Sequence, residues 1–375
     1  MVNHLGNWRN GELGNFITLK RGFDLPQQKR EDGQVPIFSS SGITGTHSTA
    51  MVNAPGVITG RYGTIGEVFY AAEDFWPLNT TLFVEDFHGN DAKFIYYFLK
   101  TLEWSKFTSA SAVPGINRNT VHKETVSLPD IETQRRIAST LSMLDEKIKT
   151  NTEINDNLEQ QAQSYFQELF VDNADPEWAI GTISDLGTVV GGSTPSKAKP
   201  EYYTESGIAW ITPKDLSINK SKFVSHGEND ITELGLKNSS AAIMPEGTVL
   251  FSSRAPIGYI AIAAGEVTTN QGFKSVVPKP EIGTPFVYFF LKNTLPVIEG
   301  MASGSTFKEV SGSTMKNVPA VIPDAETLAK FSDFCAPIFA QQRILEEQNQ
   351  SLATLRDNLL PKLMSGEIDV SAVQL

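Results

Sequence analysis

The chain has 375 residues, 40% of them hydrophobic, with 31 basic against 43 acidic side chains and a net charge of −12. Its single cysteine, Cys335, excludes a disulfide framework and a cysteine-built zinc site, and five scattered histidines lack ligand spacing. No apolar run approaches the roughly eighteen residues of a membrane span and residues 1–10 lack the form of a signal peptide, so a soluble, cytoplasmic protein is expected.

Residues 1–130 read as a first globular domain. Short apolar runs broken by Gly, Pro, Ser and Asn predict many short strands and irregular loops. Residues 56–61 predict a strand that ends in a small-residue turn bearing Arg61, and FIYYFLK at 94–100 predicts a short helix whose aromatic side is core. With 11 basic and 13 acidic groups this stretch is nearly neutral. Small hydroxyls, amides and a few cations are what base edges and phosphates accept. The loop residues of that kind are Ser40, Ser41 and Thr44, then Arg61 and Tyr62, Asn79 and Thr80, and Asn117 with Arg118.

Residues 131–172 read as one long helix, entered through Pro129-Asp130, where the aspartate can cap free amides. From Ile137, the positions Leu141, Leu144, Ile148, Asn151, Asn155, Leu158, Ala162, Tyr165 and Leu169 recur at steps of four and three, the seam of a coiled coil. At about 1.5 Å per residue that stretch spans roughly 48 Å, more than the roughly 34–36 Å of one DNA turn. Segment 131–177 holds 4 basic against 10 acidic groups, so the negative charge sits mainly on helix.

Residues 173–325 repeat the first domain. FVYFFLK at 286–292 matches FIYYFLK at an offset of 192, and VIPDAET at 321–327 matches SLPDIET at 127–133 at an offset of 194. A second strand-and-turn, residues 247–254, ends in Arg254, which is expected to correspond to Arg61. The candidate contacts here are Lys197 and Lys199, Thr212 and Lys214, Arg254, Asn270 and Gln271, Lys274, and Lys308. Two pairings of loops are expected: 79–81 with 270–274, and Asn117-Arg118-Asn119 with Thr306-Phe307-Lys308.

Residues 326–375 begin after Pro323-Asp324 and repeat the seam through Phe331, Cys335, Ile338, Gln342, Leu345, Asn349, Leu352, Arg356, Leu359 and Leu363. Asn155 and Asn349 are equivalent polar seam positions, of the kind that can set register. Pro337 is expected to interrupt this helix, leaving a short piece to about Cys335 and a long one to about Met364, which stops at Ser365-Gly366.

A duplicated unit of globular part plus helix suits a target that is itself split into two halves, and bipartite DNA leads. The chain lacks a phosphate loop, since it contains no Gly-Lys pair, and lacks the Asn/Asp-Pro-Pro-Tyr/Phe motif with which amino-methyltransferases hold a flipped base. Its ordered features resemble the specificity subunit of Type I restriction–modification systems over nearly the full length. They are the openings at 8–14 and 178–187, Gly191 to Pro195, the SLPD and VIPD lead-ins, both heptad helices, and the closing residues 359–368.

The resemblance implies an α+β fold with two mixed, β-rich target-recognition domains, 1–130 and 173–325, joined by two long antiparallel coiled-coil helices, 131–172 and 326–375. It implies that each domain reads half of a split site and that two methyltransferase subunits dock on the outer helix faces. Gln134, Arg135, Arg136, Lys147, Gln341, Gln342 and Arg343 are the exposed groups proposed for that contact. S-adenosylmethionine would then belong to the methyltransferase, cutting to an endonuclease/translocase subunit, and no catalysis to this chain. The alternatives are a stand-alone DNA-binding scaffold without a methyltransferase, a hydrolase or sugar-binding enzyme on duplicated β-rich domains, and a coiled-coil adaptor for proteins.

Overall fold

A computed structural model describes residues 8–108, 115–304 and 308–370. Two compact units divide the chain: one is drawn from residues up to Lys149 and from Gln350 onward, the other is Thr150–Asn349. No helix among the described residues is long and apolar enough to cross a membrane.

The first unit is built on a four-stranded antiparallel sheet in the order Thr18–Arg21, Thr81–Asp86, Gly56–Gly60, Val68–Ala71. A smaller sheet sets Gly42–His47 and Trp76–Pro77 on either side of Val35–Ser39, the last pair parallel. Strand Arg9–Glu12 closes against Thr125–Leu128. Helix Ala92–Lys100 starts at Asp91, whose carboxylate accepts the Phe94 amide at 2.9 Å, and buries Phe94, Ile95, Phe98 and Leu99 at helical spacing. Its aromatics are core, as their pattern predicts.

The second unit repeats this plan. Its main sheet runs Gly187–Gly191, Lys274–Pro278, Val249–Ser253, Ile257–Ala263, the same order, with Phe223–Val224 added in parallel at the edge. Strand Ile208–Ile211 again has one antiparallel and one parallel neighbour, Asn229–Ile231 and Thr268–Thr269. Ala179–Thr182 again closes against Pro319–Ile322, and helix Thr284–Gly300 stands where Ala92–Lys100 stands in the first unit. The duplication in sequence is a duplication of topology.

The two long helices are Ile131–Gln167, which widens into a last turn over Glu168–Asp172, and Ala325–Met364. Each begins as predicted: Asp130 accepts the Thr133 amide and Asp324 the Thr327 amide, both at 2.9 Å. Within each unit their segments run antiparallel. In the first, Asp145 meets Arg356 at 2.7 Å and Ile137 and Leu141 share a core with Leu363. In the second, Asn151 meets Gln348, Asn155 meets Gln342, and Phe166 meets Phe331. The asparagines do bond across the pair: Asn155 Nδ2 donates to the Gln342 carbonyl at 3.4 Å and Asn349 Nδ2 to the Thr152 hydroxyl at 3.2 Å.

The expected break at Pro337 does not occur; the second helix is continuous through it. Pro337 and Asp333, whose carbonyl loses its amide donor, are both exposed, so water can satisfy that oxygen. Cys335, Ile338 and Phe339 are buried around it, and their packing outweighs the local cost of about 3 kcal/mol. Strict heptad spacing also places Tyr165 in the seam and misses Phe166, which is 2% exposed against Phe170, Phe286, Phe289 and Phe331. There the helix meets the globular core as well as its partner helix, so its apolar face broadens.

A buried ion network fastens the second unit's sheet edge to both helices. Lys222 Nζ donates to Glu159 and to the Gln342 side chain, both at 2.8 Å, and lies 3.5 Å from the Phe339 ring centroid. Glu159 also accepts from Lys292 at 2.5 Å and from the Tyr288 hydroxyl at 3.1 Å. Burial pulls the Lys222 pKa down to about 8, against the opposing pull of Glu159. Burial raises the Glu159 carboxyl, but Lys222 and Lys292 overcome it and hold it below the ordinary value of 4.5. Between pH 8 and the ordinary lysine value of 10.5, the folded state binds fewer protons at Lys222 than the unfolded state, so stability rises with pH. Glu159 contributes stability above pH 4.5 that is lost as pH falls through its depressed pKa. Thermal melts across both windows, compared with Lys222→Met, test this; the wild type should gain more midpoint than the variant on the alkaline side.

Candidate nucleic-acid interface

In the first unit, strand Gly56–Gly60 delivers Arg61 and Tyr62 to the lip of a cleft of about 640 Å³. Both amides donate to the Thr80 carbonyl, at 2.8 and 3.2 Å, and the Arg61 carbonyl accepts the Ile116 amide at 3.0 Å. The Tyr62 ring lies over Gly115, where a Cβ would collide with it, and the Arg61 guanidinium sits 4.5 Å from that ring's centroid. Lys20 and Arg21 line the cleft from the end of their strand. Arg118 comes from the first turn of helix Arg118–His122, capped by the Asn117 side chain, and reaches the Leu19 carbonyl at 3.5 Å.

Among the described residues, the lining of this cleft holds four cations and no acid. Lys20 is paired with Glu85 at 2.5 Å and Arg21 with Asp24 at 3.8 Å. Among the described residues, Arg61 and Arg118 have no carboxylate within ion-pair distance, so their charges face the cleft uncompensated. Burial, then the neighbouring Arg118 and His88, holds the His122 imidazole below its ordinary value, and its Nε2 accepts the Leu19 amide at 2.9 Å. The site as a whole suits anions.

Of the sequence candidates, Arg61, Tyr62, Asn117 and Arg118 are therefore brought together. Ser40 borders them, its hydroxyl beside Gly63. Ser41 bonds the Ser39 hydroxyl at 3.0 Å, and exposed Thr44 lends its carbonyl to Arg30. Asn79 is tied to Asp24, and Thr80 serves through its backbone. Asn119, of the same expected loop, also lines the cleft, whereas sequence reasoning missed Lys20 and Arg21. The adjacent basic pair before Gly22 was a signal, but it becomes specific only when the strand turns it toward Arg118.

In the second unit the predicted equivalence of Arg61 and Arg254 is off by one residue. The Ser253 amide donates to the Gly272 carbonyl at 2.7 Å and the Ser253 carbonyl accepts the Val310 amide at 3.0 Å, the bonds Arg61 makes to Thr80 and Ile116. Arg61 thus corresponds to Ser253, and Tyr62 to Arg254. Likewise Asn117 corresponds to Ser311, the side-chain cap of helix Gly312–Lys316, and not to the segment at 306. Thr306 and Phe307 lie outside the described residues, and Lys308 is exposed.

Arg254 is ion-paired with Glu309 at 3.4 Å, and Lys274 meets the same carboxylate at 3.7 Å. Burial lowers the Lys274 pKa, with Glu309 opposing. Lys274 also donates to the Gln271 carbonyl at 3.3 Å, and the Gln271 side chain accepts from the Thr194 hydroxyl. Asn270 accepts the Gly272 amide at 2.8 Å. The structure therefore brings Arg254 and Lys274 onto an acid that sequence reasoning missed, with Gln271 joined through its carbonyl to Lys274. The other candidates are engaged locally: Thr212 caps its helix with Asp215, Lys214 pairs with Glu228 at 2.6 Å, and Lys199 donates to the Tyr202 hydroxyl at 3.1 Å. Lys197 is exposed.

Two of the helix residues expected on outer faces are buried instead. Gln134 is 0% exposed: it donates to Asn90 Oδ1 at 2.8 Å and the Pro129 carbonyl at 2.9 Å, and accepts the Asp91 amide at 3.0 Å. Gln342 is 3% exposed between Lys222 and the Asn155 carbonyl. The globular core covers Gln134 on its helix, whereas Gln342 is a seam position, buried against the partner helix at Asn155. Arg135, Arg136, Lys147 and Gln341 are exposed, Arg136 paired with Glu132 at 2.6 Å. Half-buried Arg343 is held by Glu246 at 2.6 Å and Glu347 at 3.1 Å.

Comparison with known proteins gives a consistent result. The family described as Type I restriction modification DNA specificity domain matches residues 6–160 and 176–355. The Type I restriction enzyme MjaIX specificity subunit of Methanocaldococcus jannaschii is 39% identical over 194 residues, 49% of this chain and 45% of that protein. The Type I restriction enzyme HindI specificity subunit of Haemophilus influenzae is 24% identical, over 72% of this chain and 75% of its own. The crystal structure of the Type I restriction–modification S subunit from M. genitalium shares the fold, with a TM-score of 0.66, 19% identity and 97% of each chain covered.

Proposed function

The chain belongs to the Type I restriction–modification DNA specificity family, and we propose that it is the subunit that addresses such a complex to a bipartite DNA site. The observation that supports this most is the repetition of one cleft position on two copies of a scaffold, with different side chains at matching backbone positions. Two readers so related suit two unlike half-sites. In the first unit, Arg61, Arg118 and Lys20 meet phosphates while Tyr62, Asn117 and Asn119 face base edges. In the second, Arg254 and Lys274, with Asn270 and Gln271, take those roles.

The paired helices set the distance between half-sites, and two methyltransferase subunits dock on their exposed residues, Arg135, Arg136, Lys147 and Gln341 among them. Base methylation, with S-adenosylmethionine and flipping of an adenine, belongs to those subunits. Cleavage belongs to an endonuclease/translocase subunit.

Mapping methylated adenines genome-wide with and without this gene tests the reading. The expected motif has two defined half-sites across an undefined gap, and it vanishes when the gene is deleted. Asn117→Ala with Asn119→Ala should relax sequence preference at one half only. Methylation that does not depend on this gene, or equal relaxation at both halves, overturns it.

A further inference from the structure

The first unit's cleft and the matching positions of the second unit share a backbone and almost no charged side chain. Gly22 and Gly192 take the same seat, each pressed on the carbonyls of the strand-end residues 77–78 and 269–270, so Lys20 and Arg21 correspond to Val190 and Gly191. With Arg61 matched to Ser253 and Tyr62 to Arg254, Leu82 matches Lys274, Gly115 matches Glu309, and Arg118 matches Gly312. Among the described residues matched here, no cationic position is common to both. The first unit places four cations there, of which Lys20 and Arg21 are paired with Glu85 and Asp24 while Arg61 and Arg118 have no acid partner among the described residues; the second places two, and both lie against Glu309.

We propose that the first unit supplies most of the phosphate anchoring for the pair, and that the second is a low-charge reader whose Arg254 and Lys274 are restrained by Glu309. This rests on the half-site reading above and adds a division of labour to it. DNA affinity falls with salt in proportion to the phosphates neutralised, with a log–log slope of about −0.9 for each. Arg61 and Arg118 enter with free charges and release counterions on binding. Arg254 and Lys274 must exchange Glu309 for DNA, so their net contribution to the slope is smaller. Selection in the second cleft then depends on contacts good enough to displace an ion pair, which a non-specific duplex does not offer.

The test is fluorescence anisotropy on the complex of this chain with its methyltransferase. A duplex with both half-sites and a scrambled duplex are titrated between about 50 and 200 mM salt. Arg61→Ala with Arg118→Ala is expected to flatten the slope by about 2, whereas Arg254→Ala with Lys274→Ala flattens it by less than about 1. Glu309→Gln, nearly isosteric, is expected to steepen the slope by about 1 and to tighten binding to the scrambled duplex several-fold. Equal flattening by the two double variants overturns the proposal. So does a Glu309→Gln complex with unchanged thermal midpoint and unchanged slope. In either case the half-site reading survives if each double variant still impairs methylation of one half-site only; if neither does, that reading fails instead.

Discussion

Phe166→Ala should destabilise the second unit by about 3–5 kcal/mol, the range for deleting a fully buried phenyl ring. Phe166 is 2% exposed, with ring centroids of Phe170, Phe286, Phe289 and Phe331 between 5.2 and 6.0 Å away. These rings come from the first long helix, the aromatic helix Thr284–Gly300 and the second long helix, so one side chain joins three elements. Alanine has the higher helix propensity, but that gain is only about 0.5 kcal/mol and cannot offset the cavity. Ile154→Ala on the same helix, 41% exposed, should cost below about 1 kcal/mol. Urea denaturation of the three proteins decides the matter. A loss for Phe166→Ala no larger than that of Ile154→Ala would show that the aromatic cluster does not hold the unit together.

Glu159→Gln is expected to cost about 3 kcal/mol at pH 7, the scale on which removal of one buried ionic partner is felt. The substitution leaves Lys222, 7% exposed, among aromatic faces and the Gln342 amide. The Glu346 carboxylate is already engaged by the Lys222 and Phe223 amides, at 2.8 and 3.0 Å, and makes no ion pair with the Lys222 amine among the described residues. Without Glu159 the Lys222 pKa falls below its present value of about 8, so the penalty shrinks as pH rises and the amine is buried neutral. Adding Lys222→Met to Glu159→Gln should recover at least about 1 kcal/mol, because a buried pair can be replaced by apolar groups more cheaply than it can be broken. A double-mutant cycle by thermal or urea denaturation reads this coupling; strict additivity would contradict it.

Much of this architecture was legible from short-range pattern. The repeat of FIYYFLK and FVYFFLK marked two helices that occupy matching places, and the Pro-Asp pairs marked two helix starts that Asp130 and Asp324 do cap. The seam positions from Leu141 to Leu363 face inward, among them Leu144, Cys335, Ile338 and Leu345. The site was legible in part: Arg61, Tyr62, Asn117 and Arg118 converge, while Lys20 and Arg21 entered only through the sheet.

Three features resisted. Arg61 and Arg254 look equivalent by eye, yet their backbone partners differ by one position, and in a strand one position reverses the face. Gln134 resembles a surface residue, yet it fills a polar gap between helix and domain, and Gln342, expected both in the seam and on an outer face, is buried between Asn155 of the partner helix and Lys222. Pro337 looks like a helix stop, yet the buried residues around it keep the helix whole.

The sequence by itself determined the duplication, the helix starts and the inward faces, because capping and amphipathic period are set by residues within a few positions of one another. Tertiary structure alone decided the strand register, the second buried face of each helix, and the approach of Glu309 to Arg254 and Lys274. Those depend on pairings across tens of residues, where the free energy of burial selects among alignments that local pattern leaves equal.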